Sequence, residues 1–320
     1  MNALLIIDKP SGMTSHDVVN RVRRILSERS VGHLGTLDPM ATGVLPLVIG
    51  NLTRLAQFYT SSTKIYEGVI RFGYATDTYD ANGEATTALQ EIALSLQSVR
   101  AMTDKFRGVI MQMPPPFSAK KIKGVPAYKL ARKRQKISLE PVQVEVTNFE
   151  VLGVEEDRAS FRATVSSGTY MRSIAHDMGR ELGCGAHLAS LRRTAVADFM
   201  IADAHTLEEL QATMGAGNLE ELFVHPRTIL PQFPSVTVND NVAALIRTGR
   251  PVNLPELSKA RQIKVFIGQK ELVAIATRVA GTLFHAKIVL SPGRTEELGR
   301  QRKIERPGGS ALPGPDVAEI

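Results

Sequence analysis

Cysteine is almost missing from this chain. Cys184 is the single one among 320 residues, so no intrachain disulfide framework can form. That usage suits a reducing compartment, and a cytoplasmic location is expected. Long apolar runs are missing too. Nowhere do about 18 apolar residues follow one another, so no membrane-spanning helix is expected. The opening residues, MNALLIIDKP, hold no basic leader and meet an acid at Asp8. Their apolar stretch is too short for a signal peptide and reads as a buried strand over 3–7. No internal repeat is visible. His33, His176, His187 and Cys184 do not stand at metal-ligand spacing, so no metal is expected, and the sequence offers no clear site for an organic cofactor.

What the chain does have is apolar material and positive charge. Apolar residues make up 43% of the composition, enough for one large domain or two. The formal net charge is +7 and the isoelectric point about 9.5. A basic balance points to a polyanion, most often nucleic acid. On charge alone, a solvated basic surface explains it as well.

Ser15 can cap a helix running to about residue 27, with Val18, Val19, Val22, Ile25 and Leu26 on one face. Residues 64–72, 142–151 and 158–165 alternate apolar and polar positions, as half-buried strands do. Residues 169–182 show helical spacing, and Gly183 supplies a stop. Pro114, Pro115 and Pro116 interrupt the middle and precede a basic stretch over 120–136, a candidate phosphate-contacting arm within about 118–140. Residues 235–290 read as a small all-β module with strands near 236–238, 263–267, 272–278 and 283–289. Residues 291–320 are rich in Pro, Gly, Arg and Glu and read as a disordered tail.

The most informative segment is Gly32-His33-Leu34-Gly35-Thr36-Leu37-Asp38-Pro39-Met40-Ala41-Thr42-Gly43-Val44-Leu45. Its three glycines and its proline predict a loop over 32–43 that presents one carboxylate. Pro39 disfavours helical geometry at Asp38. The surrounding leucines and Met40 give the acid partly dry surroundings. Taken alone, Asp-Pro is most often an ordinary turn.

The whole string resembles the TruB family of tRNA pseudouridine synthases, whose signature G-H-x-G-T-L-D-P-x-A-x-G-x-L is satisfied at every fixed position. Further stretches carry the resemblance to about residue 200. They are Lys9-Pro10-Ser11-Gly12-Met13-Thr14-Ser15, Lys64-Ile65-Tyr66, Thr76-Asp77-Thr78-Tyr79-Asp80-Ala81-Asn82-Gly83, the proline-rich block over 112–120, Ser167-Gly168-Thr169-Tyr170-Met171-Arg172, and Leu191-Arg192-Arg193-Thr194. Phe117 departs from the tyrosine common in that family.

The resemblance implies an α/β (α+β) fold: a mixed, largely antiparallel central sheet with flanking helices over 1–230, followed by a PUA-like module over 235–290. It implies isomerisation of uridine-55 in the T-loop of tRNA. Asp38 would be the nucleophile, Arg172 its cation partner, and Tyr66 a stacking and proton-transfer group. His33, Tyr170 and Leu191 would meet the extruded nucleotide, and Lys9, Lys64 and Arg192 the phosphates. The partner is the tRNA T-stem-loop, with no guide RNA, and a monomer is expected. A different soluble enzyme with a chance aspartate loop would leave the later motifs unexplained. Two stronger rivals are a guide-RNA-dependent relative and a non-catalytic RNA-binding protein. The chain opens directly on its first strand, which disfavours the former. The joint presence of Asp38, Tyr66 and Arg172 disfavours the latter.

Overall fold

The computed structural model describes residues 1–118, 120–122, 124–126 and 139–290. Most of the basic arm and all of the C-terminal tail lie outside the described residues. The chain divides into two compact units, Met1–His225 and Pro226–Ile320.

The first unit is built on one mixed sheet. Its strands are β1 (Ala3–Lys9), β2 (Val31–His33), β3 (Thr42–Ile49), β4 (Lys64–Phe72), β5 (Gly108–Gln112), β8 (Val142–Glu155), β9 (Arg158–Val165), β10 (Ala186–Val196) and β11 (Phe199–Met200), while β6 (Lys121–Ile122) and β7 (Val125–Pro126) form a separate ribbon. The main path runs β1-β3-β10-β4-β9-β8-β5, with β2 added to β3 and β11 to β10. Every pairing in it is antiparallel except β3 with β10.

The strands expected over 64–72 and 158–165 keep those bounds, and the one expected from 142 extends to Glu155. The expected loop over 32–43 is shorter, because β2 takes in Gly32 and His33 and β3 begins at Thr42. Pro46 is tolerated inside β3 because the strand changes neighbour there. β10 pairs only with Thr42 and Gly43, and β2 starts opposite Leu47. The Pro46 carbonyl accepts from Leu34 on that same side, so its missing N–H forfeits no ladder bond.

Helix α1 (Ser15–Leu26) presents the expected apolar face. Its cap is Thr14, not Ser15: Thr14 Oγ1 accepts from Asp17 N while the Asp17 carboxylate accepts from Thr14 N. That frees the Ser15 hydroxyl for another task. Val18, Val19, Val22, Ile25 and Leu26 pack with Leu5, Ile7, Leu45, Leu47 and Leu210 on one side of the sheet. Each such side chain contributes roughly 1.5–3 kcal/mol by leaving water. α2 (Leu96–Asp104) and α3 (Met171–Glu181) belong to a second cluster with Phe72, Phe149, Phe161, Ile174 and Met178. α4 (Leu207–Ala216) completes the unit.

The second unit holds β12 (Ser235–Thr237), β13 (Val252–Asn253), β14 (Gln262–Ile267), β15 (Glu271–Ala280) and β16 (Leu283–Val289) in the order β12-β14-β15-β16-β13. Beyond the strands expected there, it contains helix α5 (Asp240–Arg247), which buries Ala243 and Ile246 against this sheet's core. No helix among the described residues is long and apolar enough to cross a membrane.

Candidate active site

The loop between β2 and β3 presents Asp38, and nearly all of its main chain is fixed from below. Arg193 Nη2 donates to the Gly35 carbonyl and Nη1 to that of Thr36. The Leu37 amide donates to Ser15 Oγ, whose hydroxyl donates back to the Leu37 carbonyl. Ala41 N donates to the Asp38 carbonyl, and Gly12 N to that of Pro39. A loop this fully satisfied has few alternative conformations to visit.

Asp38 meets Arg172 from the first turn of α3. Arg172 Nη2 donates to Oδ1 at 3.0 Å, and Nε lies 2.8 Å from Oδ2. The guanidinium also donates to the carbonyls of Thr78 and Phe117, and Nη1 is 3.6 Å from Asp80 Oδ2. Asp80 is itself buried and held by Thr78 Oγ1 and Asn82 N. One buried cation therefore faces two carboxylates. Of the two, Asp38 keeps a third of its side chain open and Asp80 almost none. Burial pushes the Asp38 carboxyl above the usual carboxylate range, Arg172 opposes this, and Asp80 adds to it.

Asp38 and Arg172 line a cavity of about 560 Å³ with His33, Lys64, Tyr66, Tyr170 and Leu191. β4 supplies Lys64 and Tyr66, and β10 supplies Leu191. A 3-10 segment, Gly50–Phe58, and the turn after it add Gln57, Tyr59 and Thr60 to the wall. Tyr170 is strapped from outside by Gln112, which accepts from its amide and donates to its carbonyl. His33 Nδ1 accepts from Gly35 N, which places the proton of the neutral ring on Nε2. Burial and the nearby Arg193 charge hold that ring below its usual pKa, hence neutral. Lys64 is lowered to about 8, first by burial and then by Arg193.

Two expected phosphate contacts sit elsewhere. Lys9 is wholly buried, and its ammonium donates to the carbonyls of Pro10, Met13 and Pro39. It ties the first motif to the Asp38 loop and has no surface to offer RNA. Burial lowers it to about 8 as well. Arg192 does not line the cavity. It pairs with Asp8 at 2.6 Å and borders a separate depression with Ser11, Met40 and Glu67.

Sequence reasoning assigned no function to Ser15, Asp80, Gln112 or Arg193. Asp80 carried a signal, standing in a run of short polar residues around Tyr79. Ser15, Gln112 and Arg193 stood inside stretches that carry the family resemblance, but nothing in those stretches showed what each side chain touches. Among the described residues no three His, Cys, Asp or Glu side chains converge as a metal site requires.

A carboxylate paired with a buried guanidinium in an open cavity, on this mixed sheet, is the arrangement expected of a pseudouridine synthase. Solved structures share the fold. The archaeal box H/ACA sRNP Nop10–Cbf5 complex aligns with a TM-score of 0.65 at 24% identity, covering 91% of this chain and 86% of that one. Family profiles go further. One described as TruB family pseudouridylate synthase, N-terminal domain, matches residues 23–171, and one described as tRNA pseudouridylate synthase B C-terminal domain matches residues 172–231. The chain is similar to tRNA pseudouridine synthase B of Solibacter usitatus, 48% identical over 91% of this chain and all of that one. Its counterpart in Aquifex aeolicus is 38% identical over the same shares. The chain belongs to the TruB family.

Proposed function

We propose that the chain isomerises uridine-55 in the T-loop of tRNA to pseudouridine, with Asp38 as the nucleophile. The reaction breaks the bond from ribose C1′ to base N1 and joins C1′ to C5 of the same base. The proton displaced from C5 leaves and N1 gains one, so nothing is oxidised and no group is lost. A carboxylate that forms a transient bond to the substrate divides this into easier steps. Arg172 favours the ionised form of Asp38, since a guanidinium stays charged under ordinary conditions.

The everted base enters between Tyr66 and Leu191, where an aromatic face and an apolar wall suit stacking. Tyr66 is the group assigned to help remove the C5 proton. His33 and Tyr170 contact the opened RNA loop, and Lys64 the adjoining phosphate. The chemistry is assigned to a catalytic domain over 1–230, with a PUA-like module over 235–290. The chain acts in the cytoplasm as a single subunit, without a guide RNA.

The observation that carries this reading is a partly open Asp38, paired with the buried Arg172, in a cavity also lined by Tyr66 and Leu191. The relatives named tRNA pseudouridine synthase B support the choice of substrate. The test uses purified protein and an unmodified T-stem-loop transcript tritiated at uridine C5. Tritium release with pseudouridine mapped to the T-loop position is the expected result. Intact uridine after prolonged incubation would overturn the proposal.

A further inference from the structure

We propose that Arg193 is a positioning residue for Asp38: its buried guanidinium fixes the main chain that presents the carboxylate. The inference rests on Asp38 being the reacting group.

Arg193 is fully buried, yet all three of its guanidinium nitrogens meet carbonyls. Nη2 reaches Gly35 O at 3.0 Å, Nη1 reaches Thr36 O at 3.1 Å, and Nε reaches Val44 O at 2.8 Å. Among the described residues no carboxylate pairs with it. A buried cation without a counter-ion is an expensive way to fill space, and an apolar side chain would fill it better. What the guanidinium adds is geometry. Its rigid planar fork fixes the directions of two consecutive carbonyls at once, with a third on β3 as anchor. Thr36 stands two residues before Asp38, so the fork sets the course of the chain into the nucleophile.

The backbone of Arg193 is equally constrained. In β10 it is the cross-strand partner of Gly43 on one side and Tyr66 on the other. Gly43 permits this approach only because it lacks a Cβ. An added one would stand 2.2 Å from the Arg193 carbonyl oxygen. A register shift follows directly, between Arg193 and Ala195. Arg193 thus ties together the Asp38 loop, the start of β3 and the part of β4 that carries Tyr66. Burial lowers the pKa values of His33, Lys64 and Lys9, and the Arg193 charge adds to that lowering in each. Arg192, next in sequence, pairs with Asp8 and shares none of these contacts.

The test compares wild type, Arg193→Lys, Gly35→Ala and Asp38→Asn. Single-turnover isomerisation, T-stem-loop affinity, melting temperature and the pH dependence of the rate are measured for each. Lysine keeps the charge and loses the fork. We expect Arg193→Lys to bind RNA within about twofold of wild type and to react about 100-fold more slowly, well below its melting temperature. The acid limb of its pH–rate profile should move upward, because Asp38 is less tightly held to Arg172. A merely structural residue would lower the melting temperature and leave the rate of the folded molecules and the pH profile unchanged. That result overturns the proposal.

Should Arg193→Lys not fold, Gly35→Ala probes the same link with the cation in place. Gly35 has φ +130°, and an added Cβ would meet Arg193 Nη1 only at 3.6 Å, so the change acts through the backbone. Slow reaction at unchanged affinity supports the proposal, and wild-type rate overturns it. Asp38→Asn keeps the two readings apart. If that variant stays active, the assignment of the nucleophile fails, whatever Arg193 does.

Discussion

Arg172 reaches Asp38 across 134 positions of sequence and holds both carboxylate oxygens, with Nη2 3.0 Å from Oδ1 and Nε 2.8 Å from Oδ2. The contact joins a loop to the first turn of a helix, with Arg172 buried and Asp38 partly open. Removing the negative charge should stop the chemistry and spare the cavity. Asp38→Asn is expected to lower the single-turnover rate by at least about 10⁴-fold. Its affinity for a T-stem-loop, read by filter binding, should stay within a few-fold of wild type. A fully active Asn variant would exclude Asp38 as nucleophile.

The acid side of the pH–rate profile follows from the same carboxyl. The reactive form is ionised, so the rate should climb as pH rises through the Asp38 pKa. Burial places that value above the ordinary one of about 3.9 for a free aspartate. The acid midpoint of the single-turnover rate should therefore lie above that of an ordinary aspartate. In Asp80→Asn one of the two upward influences is gone, so the midpoint should move down. A midpoint that stays put would separate Asp80 from the electrostatics of Asp38.

Lys64 gives a signal on the alkaline side. Its pKa in the free protein is about 8. A bound phosphate favours the ammonium and raises that value, so binding takes up a proton above pH 8. Affinity should be full below pH 8 and fall by up to tenfold per pH unit above it. Lys64→Arg, charged throughout, should flatten the dependence in a binding titration over pH 7–9.5. An equally steep dependence in the arginine variant would remove Lys64 from the interface.

Tyr66 separates stacking from proton transfer. Tyr66→Phe retains the ring and removes the hydroxyl. Binding should be unchanged, while the rate falls by about 10²–10⁴-fold if the phenol handles the C5 proton. Tritium release and RNA affinity, measured on the same preparation, check both halves.

Two glycines test packing independently of chemistry. Gly12 and Gly43 have φ of +85° and +102°, so alanine strains the backbone at each. At Gly12 nothing lies within 4 Å of an added Cβ, whereas at Gly43 it would collide with the Arg193 backbone. Gly12→Ala should destabilise by about 1 kcal/mol from backbone strain alone. Gly43→Ala should add roughly 1–3 kcal/mol for the collision. Urea unfolding of the two variants reads the difference.

The role of Asp38 came from the family resemblance, since Asp-Pro alone reads as an ordinary turn. The loop that carries it was legible because glycine and proline punctuation announces itself over a few residues. So were α1 and the strands of β4 and β9, where the apolar period is regular. β3 and β10 lie at the heart of the sheet and were not anticipated. Gly43 and Pro46 make β3 read as a turn, and Arg192 and Arg193 break the apolar run of β10. The cap assignment at Ser15 failed because Thr14 and Ser15 offer equivalent hydroxyls, and the reciprocal Asp17 bond decides between them. Lys9 and Lys64 are identical as letters, yet Lys9 is wholly enclosed by carbonyls, while Lys64, though buried and donating to the Ser62 carbonyl, lines the cavity. Arg192 and Arg193 are neighbours with unrelated partners. Such distinctions depend on contacts between distant segments, which composition and periodicity do not encode.

The carbonyls of residues 35–39 already have partners inside the protein before any ligand arrives. The rim of the cavity is thus a rigid die, and an incoming loop of RNA is the pliable element. In the proposed reaction, adaptation at the encounter would fall on the nucleic acid, which would unstack and swing a base outward to fit. Transcripts whose loops are already weakened should seat more readily than those locked by strong tertiary pairing.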